Sequence, residues 1–182
     1  MASTKRADVT KRRTTSSDLP HVDSILVNTT GGTIDKVYFD AKSEFEVGRS
    51  MVGDLLREAH VHIPFEMLEV SRKDSLDLTD DDRDAIRHAI ATTPHTRIVV
   101  THGTDTMTKT AGVLSRIGGK TIVLTGALSP ARFANTDAAF NVGMAFGAVQ
   151  TLPVGVYIAM NGQVFDAAKV RKDRATNRFV SI

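Results

Sequence analysis

"RIVVTHGTDTMTKTAGVLSRIGGKTIVLT", residues Arg97 to Thr125, packs an apolar run, a helical pattern and a second apolar run into one stretch. The runs "RIVVT" and "TIVLT" are continuous rather than alternating, as strands covered on both faces tend to be. The helical pattern "DTMTKTAGVLSRI" lies between them, so the stretch reads as a β–α–β unit. Outward from it the alternation continues. "SILVN", "RSMVGDLLREAH", "FEMLEV" and "TDDDRDAIRHAIA" precede it, and "NTDAAFNVGMAFGAVQ" and "VGVYIAM" follow. The fold class is therefore α/β, a Rossmann-like parallel sheet with helices on both faces. After Met160 the chain becomes polar, with two short β candidates around Val164 and Phe179 that read as a C-terminal hairpin or flap.

Length and charge narrow the function classes. The 182 residues fit about one domain; no fixed-period repeat and no Pro/Gly/Ser-rich linker divides residues 21–182. The net charge of +2 is local: residues 1–20 carry five cations against Asp8 and Asp18, so residues 21–182 carry −1. The body thus lacks a broad basic footprint and no nucleic-acid partner is expected. Residues 1–20 read as a disordered basic extension. No unbroken apolar stretch approaches 18 residues, so no membrane span or membrane partner is read. The N-terminus has no apolar core behind its charges, which argues against a secretory signal and for the cytoplasm, with a mitochondrial presequence as the weaker alternative. Cysteine is absent, which excludes disulfides and Cys-ligated zinc.

Ligands in open α/β sheets collect beyond the carboxyl ends of the strands. That rule selects four loops: "TTGGTID", "RKDSLDLT", "THGTDTM" and "TGALSP", each with a hydroxyl or carboxylate near Gly or Pro. A phosphate loop is excluded by spacing, because Gly32 has no second glycine five residues on, and Leu114 occupies the first-glycine position of the later "GGKT". Gly31-Gly32 alone is ordinary turn chemistry, and Thr104 and Asp105 alone could cap the next helix. The six histidines show no metal arrangement: His60 and His62 are two apart, and His102 fits structural hydrogen bonding better than ligation.

Taken in order, "TGGTI", "KDS", "HGTDTM", "TGALSP" and "MNGQVFDAAKVRK" resemble the bacterial-type L-asparaginase family over about residues 25–175. The resemblance implies the N-terminal α/β domain of that family and hydrolysis of the side-chain amide of L-asparagine to L-aspartate and ammonia, with no cofactor. It implies Thr33 as nucleophile, Thr104 and Asp105 as the second threonine and its carboxylate, and Lys172 as their lysine. Asp74 and Ser75, with Thr104 and Asp105, fall where the family binds the α-carboxylate and α-amino groups of the substrate. It also implies a homodimer or homotetramer. The chemistry is consistent: a threonine hydroxyl needs a nearby base, for which a buried lysine can serve, and donors aimed at the developing oxyanion, for which Gly-rich turns can supply N–H groups. Without the resemblance, Lys169, Arg171, Lys172 and Arg174 read as a solvated charge run.

Two features depart from the family pattern. The family's assisting tyrosine, just before a Val-Gly pair, is here Phe45 in "SEFEVG", and Tyr38 is the available substitute for the proton relay. The resemblance ends at about residue 175, before the family's second domain, which the family uses to contribute a glutamate to a neighbouring site. The sequence is most similar to the compact single-domain subgroup, through "TGGTIDKVYFDA". A non-catalytic amino-acid-binding module and an ammonia-supplying amidase subunit are the alternatives.

Overall fold

The computed structural model describes residues 24–39 and 44–182; the basic extension read at residues 1–20 lies outside them. In chain order the elements are β1 (Ile25–Gly31), a 3₁₀ turn (Thr33–Asp35), β2 (Lys36–Phe39), β3 (Glu44–Val47), α1 (Val52–Glu58), β4 (Phe65–Lys73) and α2 (Asp80–Thr92). They continue as β5 (Arg97–Thr101), α3 (Met107–Leu114), β6 (Thr121–Thr125), α4 (Ala138–Thr151), β7 (Gly155–Met160), β8 (Gln163–Asp166), β9 (Val170–Asp173) and β10 (Arg178–Ser181).

Six strands form one sheet in the order β4-β1-β5-β6-β7-β8, parallel except for β8, which runs antiparallel to β7. Period-2 alternation along β1, β5 and β6 divides their apolar side chains between two cores. Ile25, Val27, Val99 and Val123 meet α1 and α4 on one face. Leu26, Ile98, Val100, Ile122 and Leu124 meet α2 and α3 on the other. Both faces are therefore dry, which is why these strands read as unbroken apolar runs. Local signals start the helices where the fold needs them: Thr79 and Asp82 close a capping box at α2, and Ile86 and Ile90, four apart, bury its inner stripe.

Two details differ from the sequence expectation. Val164 and Phe179 do not share a hairpin: Val164 lies in β8 and pairs with β7, whereas Phe179 lies in β10 and pairs with Lys172 of β9. The polar tail thus makes one hairpin with the sheet edge and a second on its own. The other detail is an unexpected two-stranded hairpin of β2 and β3 directly after the Thr33 turn, with Tyr38 opposite Phe45.

The connection after β1 carries α1 onto one face, and the connection after β5 carries α3 onto the other. Neighbouring strands whose connections part in this way leave a crevice at their carboxyl ends. The turn after β1 and the "HGTDT" loop after β5 share that crevice.

Candidate active site

Four loops converge at the crevice because glycine lets their backbones touch. Gly32 has φ +90°, and a Cβ there would overlap the backbone of Gly103; a Cβ on Gly103 would stand 2.6 Å from Cβ and Oγ of Ser75. Side chains at these two positions would push apart the turns bearing Thr33, Thr104 and Ser75. Backbone bonds fix the contact: Gly32 N–H donates to Lys73 O at 2.9 Å, and the Thr106 hydroxyl donates to Ser75 O at 2.7 Å. Ala131 N–H donates to Ile34 O at 2.9 Å, which brings the end of the "TGALSP" segment against the Thr33 turn.

Lys172 reaches this cluster from β9. Its Nζ lies 2.6 Å from Thr104 Oγ1 and 2.7 Å from Asp105 Oδ1, and its side chain is only 8% exposed. Strand alternation explains the selection: Val170 and Lys172 face inward while Arg171, between them, is exposed. Neither Thr104 nor Asp105 caps α3; the N-cap is Thr106, without a side-chain cap bond. Asp105, Lys172, Leu76, Arg174 and Asn177 line a cavity of about 220 Å³. A larger one, about 600 Å³, adjoins it at Asn177 and holds neither Asp105 nor Lys172.

The other sequence-derived candidates sit around this pair of loops. Thr33 is half-buried at the start of the 3₁₀ turn, and Ser75 is 1% exposed under Gly103. Asp74 is paired with Lys36 at 2.6 Å. Burial opposes its charge, but the Lys36 ammonium and the Leu76 N–H outweigh burial and hold its carboxyl below the usual range. Tyr38 is 47% exposed and rests on Phe45, with ring centroids 5.2 Å apart; among the described residues no hydrogen bond joins it to Thr33. Phe45 in turn contacts Phe133 at 6.2 Å. Phe45 thus lies between the rings of Tyr38 and Phe133.

His102 is fully buried, and its surroundings fix its tautomer. The Gly103 carbonyl, 2.7 Å from Nδ1, can only accept, so Nδ1 carries the proton and Nε2 accepts from the Thr110 hydroxyl at 2.8 Å. Burial pushes its pKa down to about 4, so the ring is neutral and braces the loop that holds Thr104.

A further polar clamp escapes sequence reading. Asp137 occupies the N-cap position of α4, yet its carboxylate accepts from Leu128 and Ser129 N–H and from the amides of Asn141 and Asn161. Asn141, fully buried, also donates to Gly126 O and accepts from Asn161 N–H. The only sequence signal was an Asp placed like an ordinary cap.

The family model described as asparaginase, N-terminal, matches residues 24–180. The L-asparaginase of Thermococcus kodakarensis is 30% identical over 170 residues, 87% of this chain and 51% of that protein. Its structure superposes with a TM-score of 0.75. L-asparaginase I of Vibrio cholerae gives 0.76 at 27% identity, covering 88% of this chain and 51% of the other. A glutamyl-tRNA(Gln) amidotransferase subunit of Pyrococcus horikoshii is 27% identical over 87% of this chain and 40% of that protein. The chain spans about half or less of the length of these relatives. Among the described residues no helix is long and apolar enough to cross a membrane. With the crevice, its converging turns and the matched span in agreement, the chain belongs to the asparaginase family.

Proposed function

We propose that the chain is an L-asparagine amidohydrolase whose nucleophile is Thr33. One observation carries this reading: the Lys172 ammonium bridges Thr104 Oγ1 and Asp105 Oδ1 beside the Gly32–Gly103 contact that brings Thr33 to the same crevice. Thr33 Oγ1 adds to the side-chain amide carbon, its proton passes through Tyr38 to the leaving nitrogen, and ammonia departs. Water, held at Thr104 and Lys172, then hydrolyses the ester and releases aspartate. Gly32 N–H is committed to Lys73 O, and the role of oxyanion donor is assigned to the N–H groups of Thr33 and Thr104 in the two adjoining turns. Asp105 Oδ1 serves Lys172, which leaves Oδ2 for the substrate's α-ammonium, and Ser75 binds the α-carboxylate.

The likeness to an amidotransferase subunit supports a second reading, in which the chain supplies ammonia to a partner enzyme. Ammonia release by the purified chain, with L-asparagine and L-glutamine in parallel, separates the two. Turnover of asparagine by the chain alone is expected. Silence on both amides, relieved only by a partner, would replace the first reading with the second.

A further inference from the structure

Asp35 is the buried acid that the catalytic scheme leaves unused. It closes the 3₁₀ turn begun by Thr33, immediately precedes β2, and is 1% exposed. Both of its polar ends bind the chain that returns from the Tyr38 hairpin. Its carbonyl accepts Gly48 N–H at 2.9 Å, one residue beyond β3. Its carboxylate accepts Met51 N–H at 3.2 Å, and the nearby Ser50 hydroxyl favours its charged form.

We propose that Asp35 is a positioning residue that clamps both roots of the β2–β3 hairpin to the Thr33 turn and so fixes where Tyr38 stands relative to Thr33. The hairpin needs such a clamp. It has two short strands and belongs to no larger sheet, and isolated hairpins of that kind are marginal in water. Toward its far end, the described side chains include the ring contacts from Tyr38 to Phe45 and from Phe45 to Phe133. A buried carboxylate is also a costly way to satisfy one N–H, and a smaller polar residue would do that alone. Burial raises the Asp35 pKa and Glu69 adds to the rise, while the Ser50 hydroxyl, Met51 N–H and Arg132 oppose it. Asp35, at the root before β2, holds the root after β3 twice: its carbonyl takes Gly48 N–H and its carboxylate takes Met51 N–H.

The catalytic consequence rests on the asparaginase reading; the mechanical claim does not. The sequence holds two tyrosines and no tryptophan, so Tyr157→Phe leaves Tyr38 as the sole fluorophore at the cost of one exposed bond to Pro153 O. In that background, acrylamide quenching of Tyr38 is compared for the parent, Asp35→Asn, Asp35→Ala and Ser50→Ala. Loss of the clamp frees the hairpin, and the quenching constant should rise roughly twofold or more in Asp35→Ala at unchanged far-UV circular dichroism. The kcat should fall at least about tenfold, as for other loop-anchor changes. Asp35→Asn keeps the Met51 contact and should lie between. If Asp35→Ala does not fold, Asp35→Asn and Ser50→Ala carry the test in the same direction. Parent-like quenching in the folded variants overturns the proposal, as does freed Tyr38 with undiminished kcat. A parent chain that releases no ammonia defeats the asparaginase reading alone, and the quenching comparison still decides the clamp.

Discussion

Lys172 and Arg171 are adjacent cations with opposite environments. Lys172 is 8% exposed and bonded to Thr104 and Asp105; Arg171 faces solvent from the same strand. Lys172→Met should therefore lower kcat/KM by a factor on the order of 100 or more, as loss of a proton-handling group does, while Arg171→Ala stays within about threefold. Steady-state ammonia release measures both, and equal effects would remove Lys172 from the mechanism. In the sequence only the family resemblance separated the two; composition and spacing left both within one charge run. Period-2 alternation counted from the apolar Val170 would have pointed Lys172 inward, but only once residues 170–173 were known to be a strand.

At the scale of elements, the central strands and helices were legible because each carries its own signal: unbroken apolar runs for β1, β5 and β6, and a capping box with a buried stripe for α2. The β2–β3 hairpin was not, since none of its described side chains is fully buried and its roots are held by Asp35, a residue outside it. The Asp137 clamp was hidden for a related reason, as its partners Leu128 and Asn161 are distant in sequence. Helix α3 offers a test of how separable scaffold and site are. A Cβ on its Gly112 meets nothing within 4 Å, so Gly112→Ala should stabilise the protein by about 0.5–1 kcal/mol through helix propensity. Urea titration should show the higher midpoint with kcat unchanged; a destabilised variant would mean that this face of α3 is covered.

For the whole molecule, the two-sided core implies a fold that tolerates acid poorly through one buried ring. Folded His102 stays neutral to about pH 4, whereas in the unfolded chain it takes a proton near its ordinary pKa of about 6.5. Between those values the unfolded state binds more protons, so stability is full above the upper one and is lost as pH falls. By pH 5 the loss is on the order of 2 kcal/mol. Asp35 acts in the opposite sense, since its raised pKa lets the folded chain take a proton first. Comparison with His102→Asn, whose amide keeps the donor to Gly103 O, isolates the ring. Urea midpoints at pH 7.5 and pH 5 should shift more for the parent than for the variant, and equal shifts would deny the buried neutral ring.

All of the proposed chemistry is placed in a chain spanning about half of its relatives' length, and it depends on one hydroxyl. The most direct measurement is ammonia release from L-asparagine by the parent chain, Thr33→Ser and Thr33→Ala, each checked for folding. Turnover is expected from the parent, reduced turnover from Thr33→Ser, and a loss of at least about 1,000-fold in Thr33→Ala, as for other removed nucleophiles. Parent-like turnover in a folded Thr33→Ala would contradict that expectation and move the attacking group elsewhere in the crevice.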